Sequence, residues 1–186
     1  MTKKNIALQA VFASLFAALI SAGAFIQIPM PSGVPVTIQD MMALLSGMLL
    51  GPLWGSASVV LFLLLGIIGL PVFTGKAGIQ VLLSGPTGGF LIGYLAAALV
   101  CGIILHFFLP QKKGALYWIV LAVCAVLGTI VLFLCGIAGF MRITGASIQK
   151  TLALVLIPFI PGNSIKIIVM VLLAGKFRPV IKNYAG

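Results

Sequence analysis

The chain has 186 residues, of which 62% are hydrophobic and 6% are charged, and its formal net charge is +10 at pH 7. Soluble domains carry about 25% charged residues, so this composition excludes a soluble globular protein and indicates an integral membrane protein. The positive charge does not indicate nucleic-acid binding, because the basic residues lie between apolar runs, as positive-inside anchoring predicts. Three cysteines without a CxxC spacing predict neither a metal site nor a disulfide framework.

Apolar runs between glycine and proline breakers predict six transmembrane helices in one membrane domain that covers residues 1–186. The expected spans are Ile6–Ile28, Ile38–Leu50, Leu53–Leu70, Thr87–Leu109, Leu116–Ala138 and a last helix that ends near Lys176. The second span is short, because about 13 residues at a rise of about 1.5 Å cover only about 20 Å of a hydrocarbon core about 30 Å thick. Gly51 and Pro52 predict that the chain turns back tightly into the third span.

The first span begins with a basic segment, as a secretory signal does, but its apolar stretch of about 20 residues suits a transmembrane helix. It carries two rows of small side chains, each with one small residue at every fourth position. The rows are Ala10, Ser14, Ala18 and Ala22, and Ala13, Ala17 and Ser21. Such rows let helices approach closely in lipid. Two interpretations stay open, namely packing within the bundle and a docking face for another subunit.

The distribution of basic residues predicts that both termini lie on the inner side of the membrane. In this orientation the inner side holds Lys3, Lys4, Lys112, Lys113, Lys176, Arg178 and Lys182, and the outer loops hold Lys76, Arg142 and Lys150. Two termini on one side require an even number of spans, which agrees with six.

The three outer connections combine breakers with apolar residues. They are "QIPMPSGVPVT", "PVFTGKAGIQVLLSGP" and "RITGASIQKTLALVLIPFIPG". Irregular backbone is tolerated at membrane depth only where it is buried in protein or lines a cavity. These loops therefore predict a lidded pocket that faces the outer side, with the proline-stiffened segment Pro29–Pro35 as its lid.

Few polar residues accompany these loops. Asp40 is the only acidic residue of the chain, and Thr37-x-x-Asp40 matches a capping box that would open the second helix, with a ligand contact as the alternative. Gln39 and Gln80 offer amides on two outer loops, where hydrogen bonds that stabilise the loop and ligand contacts are both open. His106, near an inner end, is typical of a membrane-interface histidine.

The last span contains a lysine among isoleucines, valines and leucines. A charge at bilayer depth costs at least about 2.5–3.5 kcal/mol, so Lys166 is a candidate functional residue. Pro161 suits the first turn of a helix, and Asn163, three residues before Lys166, would share its face. Free backbone N–H groups, the positive end of the helix dipole and the ammonium would then form an anion site open to the outer pocket. The alternative is that Lys166 snorkels toward the headgroups.

Four segments form a set with a defined order and spacing. They are "IPMPSGVPVTIQ" (Ile28–Gln39), "GIIGLPVF" (Gly66–Phe73), "GPTGGFLIGY" (Gly85–Tyr94) and "PFIPGNSIK" (Pro158–Lys166). The set resembles the BioY-type, biotin-specific S components of energy-coupling-factor transporters, and the resemblance covers nearly the whole chain. It implies an all-α fold of six helices that holds the vitamin near the outer face. It also implies a bacterial cytoplasmic membrane protein whose first helix meets a transmembrane coupling subunit driven by two ATPases, through Ala10, Ala13, Ser14, Ala17 and Ala18.

The same resemblance places Asn163 and Lys166 on polar ligand positions of the last helix. The family usually has Asp where this chain has Asn163, so we expect Lys166 to lack an internal counter-charge, whereas an Asn both donates and accepts hydrogen bonds. The substrate-binding residues expected are Asn163, Lys166, Gln39, Thr37, Gln80, Thr87 and Phe73.

A pocket with apolar walls, a few amides and one ammonium suits biotin, which has a cyclic urea, an apolar sulfur ring and a carboxylate tail. The predicted function is therefore a high-affinity biotin-binding subunit that has no nucleotide site and needs no cofactor. The alternatives are an S component for another small carboxylate vitamin and a self-powered secondary carrier, which would need intramembrane Asp, Glu or His relays. An enzyme is not predicted, because paired acid–base or metal-ligand residues are missing from the sequence.

Overall fold

The computed structural model describes residues 3–109 and 114–185, and most of these residues are helical, as predicted. The elements are α1 Lys3–Ala22, β1 Gln27–Ile28, β2 Val36–Thr37, α2 Gln39–Ile67, α3 Ile79–Ser84, α4 Gly88–Phe107, α5 Ala115–Thr144, α6 Ile148–Val155, a 3₁₀ turn Ile157–Phe159 and α7 Ile160–Ala185. Within the described residues, α1, α2, α4, α5 and the segment from α6 to α7 are long and apolar enough to cross a membrane. The predicted inner-side residues Lys112 and Lys113 lie outside the described residues.

Helix α2 is a hairpin of two arms that reverses at Gly51. Gly51 has φ 82° and ψ −174°, a conformation that favours glycine, and Pro52 follows it without an N–H to continue the helix. Ser46 Oγ in the first arm donates a hydrogen bond of 3.1 Å to the carbonyl of Gly55 in the second arm. A continuous helix would separate these two residues by about 14 Å, so the arms fold back on each other. With α2 counted as two spans, the prediction of six helices is confirmed.

Glycines bring helix α4 into backbone contact with its neighbours. A Cβ on Gly102 would collide with the backbone of Pro52 at the α2 hairpin, and a Cβ on Gly89 would collide with the backbone of Cys135 and Gly139 on α5. Because no hydrophobic force drives helices together in lipid, close contacts of this kind are what hold such bundles. Helix α4 is thus the element on which α2 and α5 are both fixed.

Helix α5 is longer than predicted, since it ends at Thr144 rather than at Ala138. Gly145 stops it with φ 67°, and the N–H of Gly145 donates to the carbonyl of Met141 at 2.9 Å. Arg142, expected in an outer loop, therefore lies in the last turn of a helix, where a cation is favoured by the helix dipole.

Helices α1 and α7 also end at other residues than predicted. Helix α1 stops at Ala22 rather than at Ile28, and a Cβ on the following Gly23 would lie 3.0 Å from the backbone nitrogen of Gln39. This close approach lets the chain leave the helix and turn into strand β1. Helix α7 continues past Lys176 to the end of the described residues.

Arg178 on α7 forms hydrogen bonds to two helix ends. It lies at the opposite end of the bundle from Lys166, about 18 Å from it along α7. Its guanidinium donates to the carbonyl of Met48 in the first arm of α2 and, at 3.2 Å, to the carbonyl of Leu105 in the last turn of α4. The Met48 carbonyl has no helical partner, because the residue four positions on is Pro52. Arg178 thus supplies the donors that both helix ends lack.

Candidate functional site

A cavity of about 480 Å³, measured with its open mouth, lies where the short elements meet the ends of the long helices. Its wall takes residues from the β1–β2 hairpin, the start of α2, the loop after α2, helices α4, α5 and α7, and the 3₁₀ turn. Val34 and Pro35, from the predicted lid segment Pro29–Pro35, are part of that wall. Concave sites of this kind, in which apolar walls surround a few polar groups, are typical of small-molecule binding.

One side of the cavity is an aromatic wall built from α4, α5 and the 3₁₀ turn. The rings of Phe90 and Phe133 meet edge to face with centroids 5.7 Å apart, and the rings of Phe133 and Phe159 do so at 6.0 Å. Phe73, from the loop after α2, adds a fourth phenyl ring to the lining. Edge-to-face packing fixes the orientation of each ring, which leaves a rigid apolar surface for a flat or sulfur-containing ring.

The charged groups that line the cavity, among the described residues, are one ammonium and one carboxylate. Lys166 Nζ on α7 lies 2.8 Å from Oδ1 and 2.7 Å from Oδ2 of Asp40 on α2. The two side chains are 12% and 13% exposed. The pair therefore places a strong dipole, with no net charge, in the wall of the cavity.

This pair corrects two expectations about Lys166. We expected it to lack an internal counter-charge, but Asp40 supplies one from a position 126 residues earlier in the chain. The sequence also predicts either an anion site at Lys166 or an ammonium that snorkels outward, whereas the ammonium is paired with a carboxylate inside the bundle. The physical reason is that two separate unpaired charges at membrane depth would cost more than one pair does.

The predicted capping box at the start of α2 is wrong. Helix α2 begins at Gln39, the preceding Ile38 makes no capping hydrogen bond, and Thr37 belongs to strand β2. Asp40 is therefore free to turn its carboxylate toward α7. Its place in the first turn of α2 still puts its negative charge near the positive end of the helix dipole.

Gln39 stabilises the wall of the cavity through hydrogen bonds. Its side chain is 1% exposed, and Nε2 donates to the carbonyl of Ile20 at 3.2 Å and to the carbonyl of Val72 at 2.8 Å. These bonds join the end of α1 and the loop after α2 to the start of α2. Of the two interpretations open for Gln39, the stabilising hydrogen bonds are present in the structure. A ligand contact stays open as well, because Gln39 also lines the cavity.

The other expected substrate-binding residues divide into two groups. Thr37, Phe73 and Thr87 line the cavity beside Gln39 and Lys166. Asn163 is buried on α7, one turn before Lys166, but it is not part of the cavity wall. Gln80 is exposed on the short helix α3 and also lies away from the wall.

Several lining residues were not singled out in the sequence. Phe90 and Tyr94 follow Thr87 on α4 at helical spacing, so the three share one face of that helix. The segment "GPTGGFLIGY" contains this pattern, and its periodicity is the signal that would have identified the two aromatic residues. Phe133 and Phe159 carry no comparable local pattern, because apolar residues surround both of them in the sequence.

The two small-residue rows of α1 have different environments. Ala13 and Ala17 are 5% and 1% exposed, so they pack within the bundle. Ala10, Ser14 and Ala18, in the neighbouring row, are exposed. Of the two rows, the one that contains Ser14 is therefore left uncovered by the described residues.

Comparison with known proteins agrees with the described fold. The chain matches the BioY family over residues 1–183. The biotin transporter BioY of Rhodobacter capsulatus is 36% identical over 178 residues, which cover 89% of this chain and 92% of that protein. The biotin transporter BioY of Thermotoga maritima is 36% identical over 171 residues, which cover 91% of this chain and 95% of that protein.

A solved structure gives the same result at the level of the fold. It is the S-component for biotin from an ECF-type ABC transporter, with a TM-score of 0.84 and 30% sequence identity, and the similarity covers 96% of this chain and 95% of that one. The similarity to these proteins in sequence and in fold thus extends over most of the chain rather than over one motif. The chain belongs to the BioY family.

Proposed function

We propose that this chain is the high-affinity, biotin-binding membrane subunit, or S component, of an ECF-type ABC importer, with residues 1–186 as one membrane domain. The family is one of transporters, so the chain is a transport protein and not an enzyme. The observation that carries the proposal is the cavity, whose lining combines aromatic rings with the Asp40–Lys166 pair, an amide and hydroxyl groups. Biotin has the same division between an apolar sulfur ring and a cyclic urea.

The cavity offers both kinds of hydrogen-bonding group that a cyclic urea requires. A urea has two N–H donors and one carbonyl acceptor, and the carboxylate of Asp40 accepts while the ammonium of Lys166 donates. Thr37 and Thr87 contribute hydroxyls that do either, and Phe73 contributes apolar surface. We propose these five as substrate contacts together with Gln39. Contacts from Asn163 and Gln80 require the outer segments to shift when biotin binds.

The proposed partners are a transmembrane coupling subunit, the T subunit, and two ATPase subunits in the bacterial cytoplasmic membrane. The exposed row of α1 is the proposed docking face, since small side chains at Ala10, Ser14 and Ala18 leave a shallow track on its surface. Large exposed side chains, such as those of Val11 and Leu15, flank the track. Energy would come from the partners, because the sequence has no nucleotide-binding motif.

The proposed function is tested by asking which ligand the protein carries and binds. The chain is purified in mild detergent, its ligand is released and identified by mass spectrometry, and the emptied protein is titrated calorimetrically with biotin and desthiobiotin. We expect biotin to be recovered and to bind with a dissociation constant in the nanomolar range or below, about −12 kcal/mol or more favourable. Recovery of a different carboxylate vitamin, with no heat on addition of biotin, would show that this is an S component for that vitamin.

A self-powered biotin carrier is the second candidate, and the Asp40–Lys166 pair is the observation that favours it. Ionisable residues inside a membrane protein often belong to proton relays. Liposomes that contain only this chain, preloaded with biotin, distinguish the two functions in a counterflow assay with labelled external biotin. We expect no exchange beyond binding to the protein itself, and sustained accumulation of label would favour the carrier.

A further inference from the structure

The Asp40–Lys166 pair sets the net charge of the cavity. Among the described residues that line the cavity these two are the charged ones, and the ion pair leaves them with a sum of zero. The other cations of the outer segments, Lys76, Arg142 and Lys150, have exposed side chains and are not part of the wall. The cavity is therefore neutral because of Asp40, and it would carry a full positive charge without it.

A carboxylate ligand experiences both members of the pair. The Lys166 ammonium has three N–H donors, and both oxygens of Asp40 lie within 2.8 Å of its nitrogen. With the urea ring at the pair, the carboxylate at the end of biotin's tail lies farther away, where it is attracted by Lys166 and repelled by Asp40 at nearly the same distance. Inside a protein these opposing energies are far larger than in water, so their balance decides how much the ligand's charge contributes to binding.

We infer that Asp40 is a specificity-determining residue that fixes the charge preference of the cavity. By neutralising Lys166 it keeps the cavity from selecting a ligand for its negative charge, and it leaves the ring contacts to dominate recognition. This inference rests on the proposed binding of biotin. Removal of Asp40 makes the cavity favour an anionic ligand over its neutral ester, removal of Lys166 makes it favour the ester, and removal of both restores a neutral cavity.

The experiment compares biotin with biotin methyl ester, which differ in charge and have the same ring system. Dissociation constants for both ligands are measured by calorimetry in detergent for wild type, Asp40→Asn, Lys166→Met and the double variant. The measured quantity is the ratio of the two constants within each protein, so a general loss of affinity cancels. Lys150→Met, which removes an exposed positive charge, is the matched control and leaves the ratio unchanged.

The expected shifts of this ratio have opposite directions in the two single variants. Asp40→Asn shifts the ratio toward biotin by about tenfold or more, Lys166→Met shifts it toward the ester by about tenfold or more, and the double variant returns to within about threefold of wild type. A ratio for Asp40→Asn within about threefold of wild type, with biotin still bound by wild type, overturns this inference and leaves the proposed function standing. Wild type that binds neither ligand overturns the proposed function itself.

A second comparison keeps the inference testable if Asp40→Asn alone does not give folded protein. Asp40→Asn is then introduced into the Lys166→Met protein, where it removes an unpaired carboxylate and is expected to restore stability. In this background the substitution shifts the ratio toward biotin by about tenfold or more. An unchanged ratio there overturns the inference in the same way.

Discussion

At the scale of single residues, Gln39 fixes the shape of the cavity from inside its wall. Its amide donates to the carbonyls of Ile20 and Val72, one in the last turn of α1 and one in the loop after α2. A carbonyl in the last turn of a helix has no helical donor, and the buried carbonyl of Ile20 takes the amide of Gln39 in its place. Gln39 therefore joins three segments that would otherwise meet without a directional contact.

Replacement of Gln39 by Leu keeps much of the side-chain volume and removes both hydrogen bonds. We expect Gln39→Leu to lower the free energy of unfolding by about 1–3 kcal/mol, because a carbonyl left without a donor in a buried place costs about that much. Thermal unfolding in detergent measures the loss, and biotin affinity falls with it because the wall loosens. The control is Gln149→Leu, at an exposed position on α6. Equal melting temperatures for the two variants would contradict this role of Gln39.

The charged pair shows what the sequence could and could not indicate at this scale. Lys166 was identifiable as a candidate because of its apolar neighbours alone. Its partnership with Asp40 was not, because the two residues are 126 positions apart and a local pattern, the apparent capping box with Thr37, explained the acidic residue equally well. A contact between distant segments depends on helix packing, which local patterns do not encode.

At the scale of elements, Arg178 links three helices at the end of the bundle that is remote from the cavity. Its guanidinium on α7 bonds to the carbonyls of Met48 on α2 and Leu105 on α4. Both carbonyls lack a helical donor for local reasons, one because Pro52 follows and the other because α4 ends. The planar guanidinium has several donors in a fork and can bond to both carbonyls, whereas an ammonium is less suited to do so.

We expect Arg178→Met to destabilise the protein by about 2–3 kcal/mol, because two charged hydrogen bonds are lost and two carbonyls stay without donors. Arg178→Lys should recover only part of this loss, since a single ammonium does not have the geometry of the guanidinium fork. The measurement is again thermal unfolding in detergent. Lys176→Met is the matched control, because Lys176 is exposed on the same helix. A stability of Arg178→Met equal to that of the control would rule out the clamp.

Element boundaries were predictable where the chain carries a strong breaker and not elsewhere. The reversal at Gly51 was predicted, since glycine and proline leave few other conformations there. The end of α5 was not, because Arg142 suggested a loop while Gly145, three residues on, is the residue that stops the helix. The orientation of α1 about its own axis was not predictable either. Its two small rows have similar composition, and only the neighbouring helices decide which row is buried.

At the scale of the whole molecule, α1 has two rows of small residues with different proposed tasks. Its inward row, with Ala13 and Ala17, is buried within the bundle that forms the cavity. Its outward row, with Ser14 and Ala18, is not buried by any other part of the described chain. We therefore expect that binding of a vitamin and the proposed docking to a partner can be affected independently. A substitution on the inward row disturbs the bundle, whereas one on the outward row leaves it intact.

A bulky side chain on each row tests this separation. We expect Ser14→Trp and Ala18→Trp to bind biotin within about twofold of wild type, because the added ring extends away from the bundle, and to lose biotin uptake by about tenfold or more in proteoliposomes that contain the coupling subunit and the ATPases. Ala17→Trp should instead yield little folded protein, since a residue that is 1% exposed has no space for an indole.

Leu19→Trp is the matched control for the added ring. Leu19 is exposed on α1 but lies outside the small-residue row, so its substitution should leave both binding and uptake near the wild-type level. Comparison of the two activities within each variant separates loss of docking from loss of folding. If Ser14→Trp and Ala18→Trp both retain full uptake, the outward row faces only lipid, and the coupling subunit must meet another face of the bundle. If they lose binding together with uptake, the row supports the cavity, and docking cannot be assigned to it.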